Sequence, residues 1–460
     1  MKKSYIIAAV VVVLIAVTAF ALPNIKGMFA KMEPATHLLY ASKNMTDAEK
    51  VNATVDVNMI LKSEGMQKMM GTTEVEDAVA LVDYANSIIE NMVLKYEMTY
   101  AQKKMEIPSY FDYDISIEYR EDPLLNIGMI FEPWKLAMGS EQLHEKMFVF
   151  DIEEFIKEML AVEGIDIDDI DIDKYVDILL NTEDDLYKAV VDNSDQYVNL
   201  LTSYLEENIQ ELEDGTLTVE YNGKSEELKV DRYLLSLDMV SYIEKFNEAL
   251  KLAKDDQNLN AFVKDRAFKI MDEFIESGDY MLIENLRREG RKEELKAEFE
   301  ESKGDFDEWY YNLFDEMIEA YEMIDEEEMS ELDMSYDMTY SIDKNDLLRG
   351  IDIKLTSEIY EIVETVKINA LNDDVVIEEV DYEDTIDVVE LSEDYDLMGE
   401  VSREVMNNLV EKVLSGDALN NLMMDFEANA EMLPEEMRDE ILGGIQGYFQ
   451  MLPYLIQGGM

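Results

Sequence analysis

From Phe111 to Tyr119 the chain alternates without a break. Phe, Tyr, Ile, Ile and Tyr fall on one side, and Asp, Asp, Ser and Glu on the other. A period of two marks a strand with one dry face and one wet face. The same pattern recurs. Val51, Ala53, Val55, Val57, Met59 and Leu61 share a side of Val51–Leu61, and Val93–Tyr100 follows it. Shorter strands are expected near 126–132, 134–138 and 146–150. Thr216–Tyr221 and Glu227–Leu237 flank Asn222-Gly223, a dipeptide that closes two-residue hairpins. Met334–Ile342 and the segment LLRGIDIKLT are joined by a turn at Asp343–Asp346, and IYEIVETVKINAL follows from Ile359. Further segments are expected near 375–380 and 386–391. This succession predicts an antiparallel meander with one face in water.

Helical spacing fills the gaps. Residues 24–50 read as a linker and a short helix with Leu38, Leu39 and Tyr40 on its apolar side. A connector helix is expected at about 74–91, and Asp151 is placed to cap a helix after strand 146–150. Residues 239–328 are expected to be helical. The strongest stripe there runs through Phe306, Trp309, Tyr310, Leu313, Phe314, Met317, Ile318, Tyr321 and Ile324, with Asp305 and Glu308 as a capping pair. Helices at about 397–414, 417–431 and 435–450 close the chain. The last apolar stretch is broken by Pro453, which argues against a second membrane span. Together these describe an α+β protein. Its curved antiparallel sheet is an open half-barrel packed with helices. Strand-rich halves at about 48–238 and 331–460 flank a helical section at about 239–330.

The N-terminus sets the expected address. Lys2 and Lys3 precede an uncharged run from Ile6 to Leu22, closed by Pro23. The run is longer than a secretory core of roughly 7–15 residues and close to the lower limit of about 17 for a spanning helix. Ala19-Phe20-Ala21 offers a cleavage site after Ala21, which would release the protein. The length and valine content favour a retained signal-anchor over residues 1–23, with 24–47 as a juxtamembrane linker and 48–460 outside the cell membrane.

Charge narrows the partners. The chain has 105 acidic and 39 basic residues, a net charge of −66, spread along all 460 residues. With 47% hydrophobic and 10% aromatic residues it still has the material for a large core. Such self-repulsion fits a protein facing high salt. It excludes nucleic acid as a partner, since phosphate binding needs a basic surface, and it implies nonspecific cations over the surface. There are no cysteines, hence no disulfides or thiolate chemistry.

Candidate sites are few. IDIDDIDID, from Ile165 to Asp173, suggests calcium. Counted from Asp166, however, the sixth position is Asp171 where a calcium loop needs Gly, and the twelfth is Asp177 where it needs Glu. It reads as a solvated acidic loop over 164–171. His37 and His144 are the only histidines and lie far apart in sequence, so no shared metal site is expected. The 31 methionines, including Met66, Met69 and Met70, read as packing rather than copper capture. No nucleophile elbow, phosphate loop or dinucleotide fingerprint occurs. The expectation is a non-enzyme without a cofactor.

The layout resembles a group of membrane-anchored extracytoplasmic proteins of Firmicutes-type bacteria. The resemblance rests on VNATVDVNMIL after a short helix, KMFVFDIEEF running strand into helix, EDGTLTVEYNGK with LKVDRYLLSL, and YDMTYSIDKNDLLRGIDIKL. It is similar to the half-barrels of the LolA and LppX lipoprotein-carrier class, although it lacks an anchor cysteine and is far longer. That resemblance implies an apolar cavity that accepts lipid chains. Two functions follow: a membrane-anchored module for an apolar or lipid ligand, or a structural or protein-interaction ectodomain with a filled core. Phe111, Tyr113, Tyr119, Tyr336 and Tyr340 are the aromatics placed to line such a concavity or to fill it.

Overall fold

The computed structural model describes residues 33–70, 75–102, 110–132, 135–152, 174–175, 178–179, 184–282, 290–323, 334–377 and 382–458. The apolar run 6–22, the acidic loop 164–171 and the helix expected after Asp151 lie outside them. Among the described residues, no helix is long and apolar enough to cross a membrane.

The strands are β1 (Lys50–Leu61), β2 (Met92–Ala101), β3 (Tyr110–Tyr119), β4 (Asp122–Glu132), β5 (Lys135–Gly139), β6 (Phe148–Asp151), β7 (Ile209–Glu211), β8 (Gly215–Tyr221), β9 (Lys224–Asp238), β10 (Ser335–Asp343), β11 (Leu348–Thr356), β12 (Tyr360–Leu371) and β13 (Ile386–Asp387). They form one curved, unclosed sheet in the order β13-β6-β5-β4-β3-β2-β1-β12-β11-β10-β9-β7, with β8 folded back on β9. All these pairings are antiparallel except β13 with β6. The two strand-rich stretches are thus joined within a single sheet where β1 lies against β12, Val55 opposite Val366.

The helices are α1 (Pro34–Thr46), α2 (Ser63–Met70), α3 (Val75–Ile89), α4 (Asp185–Asp192), α5 (Asp195–Asn208), α6 (Met239–Asp255), α7 (Gln257–Ser277), α8 (Arg291–Gly304), α9 (Phe306–Glu322), α10 (Val388–Glu393), α11 (Tyr395–Asn408), α12 (Asp417–Asn429) and α13 (Glu435–Gly458). The main core lies under α1 and α5. Leu38, Leu39, Val198 and Leu205 press on Val51, Ala53, Tyr233, Leu235, Ile342 and Ile368. A second core is wholly helical: Phe306, Tyr310, Phe314 and Ile318 of α9 pack on Leu250 of α6 and Leu259 and Phe262 of α7. The α9 stripe is therefore core, and the Tyr310 hydroxyl donates to the Ala253 carbonyl at 2.9 Å. A third contact holds α12 and α3 to the far end of the sheet through Ile88, Tyr119, Leu419 and Leu422.

Four expectations need correction. Asp305 does not cap α9 with its side chain. It also ends α8, its N–H bonding the Ser302 carbonyl, so the preceding helix fixes its backbone. The segment 386–391 is strand only at Ile386–Asp387. The Asp387 carboxylate then accepts the Val389 and Glu390 N–H groups and starts α10. Residues 375–377, where a strand is expected to begin, have no regular structure, and 378–380 lie outside the described residues. α13 continues through Pro453 to Gly458, since a proline removes one helix N–H without forcing an end.

Candidate functional site

Register places one row of apolar side chains across the sheet, because residues paired between neighbouring strands share a face. From β3, Phe111, Tyr113, Ile115 and Ile117 lie opposite Tyr100, Met98, Tyr96 and Leu94 of β2. On the other side they face Phe131, Met129, Ile127 and Leu125 of β4. The row continues through Leu136 and Met138 of β5, and through β1 into Ile362 and Val366 of β12 and Ile351 and Ile353 of β11. The alternate positions carry Asp112, Asp114, Glu97, Asp56, Asp352 and Lys354, which form the polar face.

Among the described residues, α1 with α5 packs on one end of this apolar face and α3 with α12 on the other. Between them Val55 is buried and Tyr96, Tyr113 and Ile115 are half-buried, and exposure is greatest near strand ends and on β5. Met59 is 39% exposed, Phe131 40% and Met138 45%. Tyr96 and Tyr113 stack with ring centres 5.4 Å apart, Tyr113 stacks on Phe111 at 5.9 Å, and Phe111 meets Phe131 at 6.0 Å. Burial raises the Tyr113 hydroxyl pKa, and Tyr96 and Glu364 add to the rise. Glu364 is on β12, so its carboxylate bears on Tyr113 across β1 and β2.

Glu364 is the exception in the row. β12 presents Tyr360, Ile362, Glu364, Val366 and Ile368 to this face, and Glu364 sits opposite Val57 of β1 and Ile353 of β11. It is half-buried. The sequence reading missed it. The signal was one acidic residue at an in-facing position of an alternating strand, hidden because Glu361 sits near it on the opposite face.

The five aromatics expected at the concavity divide. Phe111 and Tyr113 stand half-buried on β3. Tyr119 is fully buried, its hydroxyl donating to Asp425 of α12, while Arg120 reaches the same carboxylate at 2.8 Å. Tyr340 packs against the core under α1, and Tyr336, at the outer end of β10, is half-buried.

Other clusters are structural. Buried His37 holds α1 to the sheet, with Nδ1 hydrogen-bonded to Tyr233 Oη at 2.8 Å and Nε2 3.1 Å from Asp346. Burial, and then Asp231, push the Tyr233 pKa up to about 12, so its hydroxyl is no nucleophile. His144, also buried, lies 3.6 Å from Glu404, apart from His37. Among the described residues no group of three or more carboxylates and histidines is arranged to hold a metal. A hollow of about 450 Å³ lies between the end of β1 and α2–α3, lined by Lys62, Glu64, Asp83 and Glu358 beside Leu61 and Val82. Its polar lining does not suit an acyl chain. No family model, curated protein or solved structure matches this chain.

Proposed function

We propose that this chain is a membrane-anchored extracytoplasmic protein that binds an apolar or lipid ligand on the helix-bearing face of its sheet. Residues 6–22 serve as the anchor. The observation that carries the reading is the β4–β5 side of that face, where Phe131 and Met138 stay more than a third exposed beside the Tyr96–Tyr113–Phe111 stack. A contiguous exposed apolar patch on a protein with −66 charge is costly to keep without an occupant. Methionine and tyrosine give an adaptable, amphipathic lining.

The geometry is an open face rather than a closed cavity, and this bounds the affinity. An alkyl chain of eight carbons laid half-buried on such a face gains about 3 kcal/mol at roughly 0.8 kcal/mol per buried CH₂. A single short chain then binds in the millimolar range, and a two-chain lipid far more tightly.

Residues 24–460, purified in molar salt, test this by solvent extraction and mass spectrometry of the extract. A stoichiometric lipid or other apolar molecule is the expected result. A clean extract from folded protein, still empty after incubation with membrane lipids, would favour the structural or protein-interaction ectodomain instead.

A further inference from the structure

We propose that the ligand of the apolar face carries a positive charge, an ammonium group on an apolar body, with Glu364 as its counter-charge. This rests on the ligand-binding reading above and names the ligand class.

The argument starts from an unneutralised carboxylate. Glu364 lies among Val57, Ile353, Ile362 and Val366, apolar neighbours along its own strand and on both adjacent strands. Its carboxylate has no hydrogen-bond or ion-pair partner among the described residues. On the polar face Glu361, three residues earlier on the same strand, pairs with Lys354 at 3.0 Å. A half-buried carboxylate flanked by aliphatic side chains loses hydration and gains nothing in return. A ligand cation restores the balance.

The neighbours suit an organic cation rather than a metal ion. A metal needs several oxygen or nitrogen ligands in one shell, and here there is one carboxylate. The tyrosine pair Tyr96 and Tyr113, stacked at 5.4 Å, lies close enough for Glu364 to act on Tyr113. Aromatic faces beside a carboxylate attract a weakly hydrated ammonium. Phe111, Phe131 and Met138 continue from the tyrosines as the track for its apolar part. An anionic amphiphile such as a fatty acid would place like charge against Glu364.

The test uses the full chain held in an uncharged amphipol in molar salt, which suppresses attraction to the general acidic surface. Equilibrium dialysis compares octyltrimethylammonium, octanol and octanoate, with empty amphipol subtracted. The expected order is octyltrimethylammonium about tenfold tighter than octanol, with octanoate weakest. Glu364→Gln should bring the cation to within about twofold of octanol. Asp352→Asn, which removes one charge from the opposite face of the adjacent strand, should leave the preference intact. Equal binding of all three probes, or a preference that survives Glu364→Gln, overturns the cation assignment while leaving the apolar-ligand reading in place. Binding of none of them, with the protein folded, overturns both.

Discussion

At the scale of single residues, the β3–β4 turn stores strain. Arg120 and Glu121 have φ of 53° and 69°, so two non-glycine residues occupy the left-handed region. Each costs on the order of 1 kcal/mol. The turn survives because the Arg120 N–H bonds the Asn91 carbonyl at 2.8 Å and its guanidinium reaches Asp425. Glu121 is exposed and its side chain has no role in that bracing. Glu121→Gly is expected to raise stability by about 1 kcal/mol in urea unfolding, and a loss would refute the strain argument. Tyr233 gives a pH prediction. Its folded-state pKa of about 12 exceeds the value of an unfolded tyrosine, near 10. Its contribution is therefore complete below about pH 10 and is lost as pH rises towards 12. Tyr233→Phe should flatten the alkaline fall in unfolding free energy, and an unchanged slope would show that other groups control it. Neither feature was legible in the sequence. Arg120-Glu121 lacks the Asn or Gly that announces such a turn, whereas Asn222-Gly223 did announce one and both residues have positive φ.

At the scale of elements, the strands were legible and their partners were not. Alternation located β1, β2, β3, β8, β10 and β11 to within a residue or two, and β9 to within three, because each has one buried face. The pairing of β1 with β12 joins residues some 300 positions apart, and nothing local encodes it. Helices α4 and α5 escaped the reading because their buried residues, Val190, Val198, Tyr204 and Leu205, are sparse among polar ones. α10 escaped because a cap, Asp387, outweighed a β-prone pair of valines. Helix α2 carries a further prediction. A methyl group on Gly65 would lie 2.2 Å from the Glu358 carbonyl oxygen, a backbone atom with little room to move. Gly65→Ala should therefore push α2 away from the turn before β12 and cost about 1–3 kcal/mol. A thermal melt within a degree of the parent would mean that α2 docks loosely. The open apolar face also belongs to this scale. The sequence located its aromatics, but not which of them the helices cover, since covered Tyr119 and open Tyr113 sit on the same side of one strand.

At the scale of the molecule, the sheet and the charge act against each other. The sheet gathers apolar residues from both ends of the chain onto one face, and this supplies the cohesion. The 105 carboxyl-bearing residues are left mostly at the periphery, where they repel one another. Ion pairs offset little of this, since 39 bases cannot neutralise 105 acids and exposed pairs are each worth under about 1 kcal/mol. Screening should therefore govern stability. The Debye length falls from about 30 Å at 0.01 M salt to about 10 Å at 0.1 M, so the steepest gain belongs to the first few tenths molar. Melting temperature should rise there by on the order of 5 °C or more, equally in sodium and potassium chloride. Sucrose stabilises by exclusion from the surface, without screening, and should give no such early rise. If salt and sucrose instead act alike, with the gain appearing only at molar concentration, the repulsion is already neutralised by bound cations and the acidic surface is not what limits the fold.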